Sequence, residues 1–544
     1  MQALVDLFAF LSVILRAGVL ICQSLILGGT LFIFWTARPS LQVVPSTLDD
    51  VQVSSRKFIR LAALALIAVQ ALLLYVDSSV LMVTAEIPFG DVLGANFFIA
   101  GTAVGLASLG IAIVVSGRDR TRNALLLVFV TGMLVSCIMT SHAAARLNSR
   151  GPLMLMTALH QMATGFWIGG LPYLILMLSR THDRLSQWTI SERYSRSALV
   201  SVGVLVLSGT GLSLSYMGSF AALIGTAYGV MVSAKALMLL GLLILGSVNY
   251  FLIRHQEPSH VIPRLRRIVE AEVGIGLTII ITAASLTSQP PAVDVLQETV
   301  SLHQIVNRLR PEWPRFSLPT YADSSKTAFP QTKSENADAA APVFRNVDGE
   351  PLTQKDLADI RESETNHHWM GLVVLAMGVM ALLANTGKVR WAEYWPLLLI
   401  LISAFIFIAA DSESWPLGQQ GFWACWLKPE DFQHRIAALV CVGFAFFELR
   451  VRRHPGTHAG ALVFPMMCAI GGALLLTHSH NITNVKESLL VELTHVPIGI
   501  LAVCAGWTRW LELRLPNTNW KSPSWIWPIC FVLIGASLLN YREI

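Results

Sequence analysis

Apolar runs of about 20 residues recur along almost all of this 544-residue chain, and a run of that length is what a helix needs to cross a hydrocarbon core. Lipid offers no hydrogen bonds to an open backbone, so each such segment must close its own peptide groups, as a helix or inside a closed barrel. The runs are continuous rather than alternating, which selects helices. With 54% of residues hydrophobic and 13% charged, most of the chain cannot be a water-soluble globule. The reading is an all-α polytopic integral membrane protein of about 14 transmembrane helices in two bundles. Eight spans lie near 4–36, 58–83, 92–115, 121–141, 152–178, 197–216, 228–252 and 267–288. Six more lie near 369–386, 394–411, 434–449, 461–477, 488–508 and 524–540. The expected organisation is an eight-helix membrane domain at 1–288, a polar linker at 289–365 and a six-helix membrane domain at 366–544. Within the linker, Tyr321 to Pro342 reads as disordered and Asp348 to Glu364 as a short surface helix.

Orientation follows from loop charge, because Lys and Arg gather on the cytoplasmic side. Alternate short loops, from Arg38 and Arg118 through Arg180, Arg254, Lys388 and Arg450 to Lys521, hold about 22 basic residues, against about five in the opposite loops. Both termini and the linker are therefore expected outside. This asymmetry accounts for the formal charge of +5 without a nucleic-acid partner. The first apolar run is too long for a cleavable signal core and lacks a basic leader. Seven cysteines form no CxxC pair and fall mostly within spans, Cys425 excepted, which argues against a disulfide framework.

A histidine inside or at the rim of a span is costly without a partner. Eight of them gather toward the outer face: His142, His160, His367, His368, His434, His478, His480 and His495. Imidazole suits copper, zinc and haem iron, and ligands from neighbouring helices at one depth can close a site inside a bundle. One candidate cluster joins His142 and His160. A second joins His434, His478, His480 and His495 with His367 or His368. Adjacent helical residues differ by about 100°, so His367 and His368 cannot both face one point.

Asp411, Glu413 and Glu492 fall at the outer ends of rear spans, where a carboxylate can complete a site or hold an imidazole in its ligating tautomer. Met154 and Met156 are supporting candidates, since thioethers favour Cu(I), although they cannot share one helix face. Arg16, Asp77, Lys235 and Glu272 are embedded charges, readable as an ion network or as parts of a polar path.

The stretch Ser141-His142-Ala143-Ala144, then Ala158-Leu159-His160, then Trp167-Ile168-Gly169-Gly170-Leu171 resembles the copper resistance protein D (CopD) family. The likeness continues through Ser208-Gly209-Thr210-Gly211, Tyr228-Gly229, Lys235 and Asn249 to Glu270-Ala271-Glu272 and Pro290-Pro291. The rear half looks like the extension of longer members. The resemblance implies copper handling in a bacterial cytoplasmic membrane, commonly uptake from the periplasm with a separate CopC-like copper protein. The bilayer and the copper ion are the other expected partners. No GxxxxGK[ST] loop, DKTG sequence or CPC motif appears, so the chain is not expected to be an ATP-driven enzyme. For onward movement the inner half offers only Asn249 and Glu272 as weaker successive ligands. The alternatives are a b-type cytochrome, with paired histidines on haem iron, and a factor that delivers copper to another membrane enzyme.

Overall fold

The computed structural model describes residues 8–38, 48–181, 183–255, 258–295, 299–317, 354–411, 413–426, 429–454, 459–477, 485–515 and 522–543. These residues are helices joined by turns, and eleven helices are long and apolar enough to cross a membrane. Two shorter apolar helices, Gly460–Leu475 and Pro523–Leu539, accompany them. The chain is an all-α polytopic membrane protein. It divides into two compact units, the first formed mainly by residues up to 297 and the second mainly by those from 298 onward.

The first unit comprises α1 (Phe8–Leu31), α2 (Leu48–Thr84), α3 (Asn96–Val114), α4 (Arg120–Met139), α5 (Arg150–Trp167), α6 (Leu171–Arg180), α7 (Arg184–Met217), α8 (Ala227–His255) and α9 (Pro258–Thr287). α1 packs on α2, α5 and α9, while α7 packs on α5, α8 and α9. Small residues permit the closest approach, as they do wherever lipid removes the hydrophobic drive between helices. A Cβ added to Gly169 would stand 2.0 Å from the Ser24 carbonyl oxygen, and one added to Gly28 would stand 2.2 Å from the Gly169 carbonyl carbon. Lipid takes the opposite side: α7 turns Val200, Leu207 and Leu214 outward, seven residues apart, and buries Ser208.

Loop charges also build structure. Asp119 and Asp183 cap α4 and α7 through the backbone N–H of Arg122 and Ser186, at 2.8 and 2.9 Å. Arg56, one of the basic residues of the first charged loop, is 3% exposed. Its guanidinium donates to the carbonyls of Val115 and Gly117 and to Asn123 Oδ1, each at 2.8 Å, closing the α3–α4 turn.

The second unit comprises α10 (Leu302–Leu309), α11 (Gln354–Asn385), α12 (Leu398–Ala409), α13 (Pro429–Arg453), α14 (Val463–Leu475), α15 (Val485–Arg514) and α16 (Ser522–Leu539). Its core joins Val374, Met377, Trp395, Phe464, Trp527 and Phe531. Beneath it Arg509 bridges Glu448 and Glu512 at 2.7 and 2.8 Å, and Trp527 Nε1 donates to Glu512 at 2.7 Å. α11 begins well before its apolar run, so residues 354–365 continue a spanning helix. Residues 299–317 pack on its first turns: the Arg315 N–H donates to His368 Nδ1 at 2.9 Å and Trp369 Nε1 to the Phe316 carbonyl at 3.1 Å. Tyr321 to Pro342 lies outside the described residues, as does Asp348 to Thr353.

Replacing Arg56 by Leu strands three acceptors, two of them carbonyls at the end of α3. The expected loss is about 2–3 kcal/mol of stability in detergent. The exposed Arg122, replaced by Leu, is expected to change the melting curve far less.

Candidate functional site

α5 carries Met156, His160 and Trp167 at i, i+4 and i+11, a spacing that lines them along one face. His160 Nδ1 lies 3.2 Å from Ser208 Oγ on α7. The single Ser208 proton goes to the Val204 carbonyl at 2.6 Å, so Ser208 accepts from His160 Nδ1–H and the imidazole lone pair resides on Nε2. Glycines bring α7 against these side chains. A Cβ at Gly209 would stand 3.1 Å from His160 Cε1, and one at Gly211 would stand 2.9 Å from Met156 Sδ. Lys235 on α8 lies within electrostatic range of His160.

His142 opens a single helical turn, His142–Ala145. Its ring meets Tyr216 edge-on, with centroids 6.4 Å apart, and Arg146 lies 5.6 Å from the Tyr216 ring while pairing with Asp294 at 3.0 Å. His142 Nε2 is buried with no hydrogen-bond partner among the described residues. Burial, and then the field of Arg16, push its pKa below the ordinary value of 6.5, while a hydrogen bond with the Thr287 backbone works against that shift. Arg16 Nε and Asp77 Oδ1 are likewise buried without hydrogen-bond partners among the described residues.

The two histidines meet α7 at different levels. Tyr216 and Ser208 are eight residues apart, about 12 Å of helical rise, and Gly211 with Met156 falls between them. Farther along α5, Trp167 lies beside a third polar point. There Asn249 Nδ2 donates to the buried Glu272 carboxylate at 3.0 Å, and Asn249 Oδ1 has no partner among the described residues. Tyr194 donates its hydroxyl proton to the Trp167 carbonyl at 2.6 Å, which α5 leaves open where it breaks before Gly169-Gly170.

In the second unit the neighbouring histidines divide. His368 accepts the Arg315 N–H on Nδ1 and donates from Nε2 to the Tyr541 carbonyl at 3.0 Å, which commits both nitrogens to the backbone. His367 donates Nδ1–H to the Ser363 carbonyl at 2.7 Å and stacks on Tyr541 at 3.8 Å. His495 donates Nδ1–H to the Val491 carbonyl at 2.9 Å, and its ring centroid is 5.8 Å from that of His367.

His434 Nδ1 lies 2.9 Å from Asp411. Glu413 is exposed, Glu492 buried and Met154 half-buried. His478 and His480 lie outside the described residues. Among the described residues no three His, Cys, Asp or Glu side chains converge to hold a metal. Cys425, read as a loop residue, is buried. Sequence reasoning assigned no role to Tyr194, Tyr216 or Tyr541 and no contact to Ser208. The small-residue run Ser208-Gly209-Thr210-Gly211 was the available signal for the last.

Half-buried imidazoles and a thioether, the latter and His160 facing glycines of α7, define a polytopic membrane protein with soft and borderline donors at successive levels. Residues 188–286, covering most of α7, all of α8 and nearly all of α9, match the family Copper resistance protein D. A stretch of 167 residues is 34% identical to the copper transport protein CutJ of Bacillus subtilis (strain 168). It covers 30% of this chain and 30% of that protein. No solved structure matches. The matched domain supplies Ser208, Gly209, Gly211 and Tyr216, while His142, Met156 and His160 come from the preceding helices.

A histidine whose folded-state pKa is lowered binds fewer protons than it does unfolded, so its contribution to stability falls as pH drops below about 6.5. His142→Gln is expected to lessen the acid destabilisation in that range. Arg16→Gln is expected to move the His142 titration upward, followed by NMR of labelled histidine.

Proposed function

We propose that this protein binds copper at its outer face and passes it inward across a bacterial cytoplasmic membrane, using His142, Met156 and His160 as successive stations rather than as one ligand shell. The observation that carries this reading is the His160–Ser208 hydrogen bond, which leaves Nε2 as the ligating nitrogen on the same helix face as a thioether, one turn away. The CopD domain and the relative named as a copper transport protein support copper as the cargo.

Transport needs sites that bind and then release. Few protein donors per station, with the Lys235 ammonium near His160, shorten the stay of a cation. Asn249 and Glu272 extend the line of polar groups beyond Trp167. Positive charge on alternate loops sets the His142 end outside, where a separate CopC-like protein would deliver the ion. Movement follows the copper gradient or an exchange, since the sequence holds no nucleotide-phosphate motif.

The test is metal and haem content of the detergent-purified protein, with Cu(I) affinity measured by chelator competition. Copper is expected in the wild type, with Cu(I) affinity at least tenfold lower in His160→Ala and a smaller loss in Met156→Leu. A Soret band with little copper would replace this reading by a b-type cytochrome.

A further inference from the structure

The core of the second unit holds sulfur that the front ladder does not use. Four of the seven cysteines, Cys441 on α13, Cys468 on α14, Cys504 on α15 and Cys530 on α16, belong to the apolar cluster built around Trp395, Phe464 and Trp527. A thiol in such a core ordinarily fills space as a small apolar group. Cys504 and Cys530 differ, because their sulfur atoms meet.

α15 and α16 follow one another in the chain and pack side by side. Cys504 stands ten residues before Arg514, where α15 ends, and Cys530 eight residues after Ser522, where α16 begins. At 1.5 Å of rise per residue these are about 15 and 12 Å from the adjoining helix ends, so the two side chains share one level. Their thiols hydrogen-bond to each other across the helix interface. In an S–H···S contact the two sulfurs are joined through a single proton, so both donor atoms converge on the position that proton occupies.

The surroundings are apolar and anchored. Cys530 is 4% exposed and Cys504 half-buried, with Leu501, Ala505, Phe531 and Ile534 in the same cluster. Just before Cys530, Pro528 lacks the N–H that would bond the Ser524 carbonyl, and the Asn385 side chain of α11 donates to that carbonyl instead. Among the described residues no set of three His, Cys, Asp or Glu forms around the pair.

We infer that Cys504 and Cys530 form a second copper site, a two-coordinate Cu(I) centre held by two sulfurs at the interface of α15 and α16. Thiolate sulfur is a soft donor that selects Cu(I), whereas Zn(II) calls for four ligands. Cu(I) takes the place of the shared proton: bonds form from the metal to both sulfurs, one thiol proton leaves, and the copper stays Cu(I). The net charge of the core is unchanged by this exchange, which spares the cost of an unpaired charge in apolar surroundings. The inference rests on the copper reading above and is independent of the front ladder.

The experiment loads full-length protein anaerobically with Cu(I) against a chelator and records copper X-ray absorption. The background is the double variant Met156→Leu, His160→Ala, which removes the front thioether and imidazole. It is expected to retain one Cu(I) equivalent with a shell of two sulfurs. Adding Cys504→Ala or Cys530→Ala is expected to lower Cu(I) retention at least tenfold and remove that shell. The unmutated protein, which no substitution can unfold, is expected to show a thiolate-to-Cu(I) ultraviolet band that tenfold excess Zn(II) does not abolish. If the band is absent, if the monodisperse background variant holds no sulfur-bound copper, or if both cysteine variants keep the equivalent with an unchanged shell, the second site does not exist. Sulfur-bound copper here, with wild-type affinity unmoved by His160→Ala alone, would overturn the ladder and leave this centre standing.

Discussion

A polar group inside a lipid-embedded bundle must find its hydrogen-bond partners within the bundle, because hydrocarbon supplies none. That constraint decides which nitrogen of each histidine carries its proton. The Ser208 oxygen takes the proton side of His160, and the carbonyls of Ser363 and Val491 take the proton side of His367 and His495. His368 meets the same requirement at both nitrogens and so becomes a structural tie between Arg315 and Tyr541. Arg56 and Arg509 satisfy it with open helix ends and with carboxylates.

Close helix contact is the second condition. Gly209 and Gly211 remove the Cβ atoms that would push His160 and Met156 off α7. The closeness of Gly28 and Gly169 fixes α5 against α1, which sets where the histidine-bearing face points. Donor chemistry therefore rests on residues that carry no donor atoms. The matched segment at 188–286 is mostly such a wall where it meets α5, and His142 and His160 belong to helices outside it.

The membrane class was legible because apolar length is a one-dimensional property, and the long helices follow it. Their ends were less so: the short surface helix read at Asp348 to Glu364 is, from Gln354 on, continuous with the spanning helix α11. Loop arginines looked alike in the sequence, yet Arg56 is buried and Arg122 exposed, a difference set by which carbonyls lie within reach. His160 was legible as an embedded imidazole, whereas its hydrogen bond to Ser208 joins residues 48 positions apart and needs the packing of α5 on α7. Adjacent His367 and His368 could be separated by helical angle, but which of them faces His495 depends on Tyr541, far away in the chain.

The central claim is that copper passes along the His142–Met156–His160 face. Radioactive copper flux into proteoliposomes, with insertion sidedness determined by protease, measures it directly for the wild type and for His160→Ala at matched protein density. Copper-dependent uptake from the His142 side that falls at least tenfold in the variant is the predicted result. Flux equal to protein-free vesicles, or flux unchanged by His160→Ala, would contradict it.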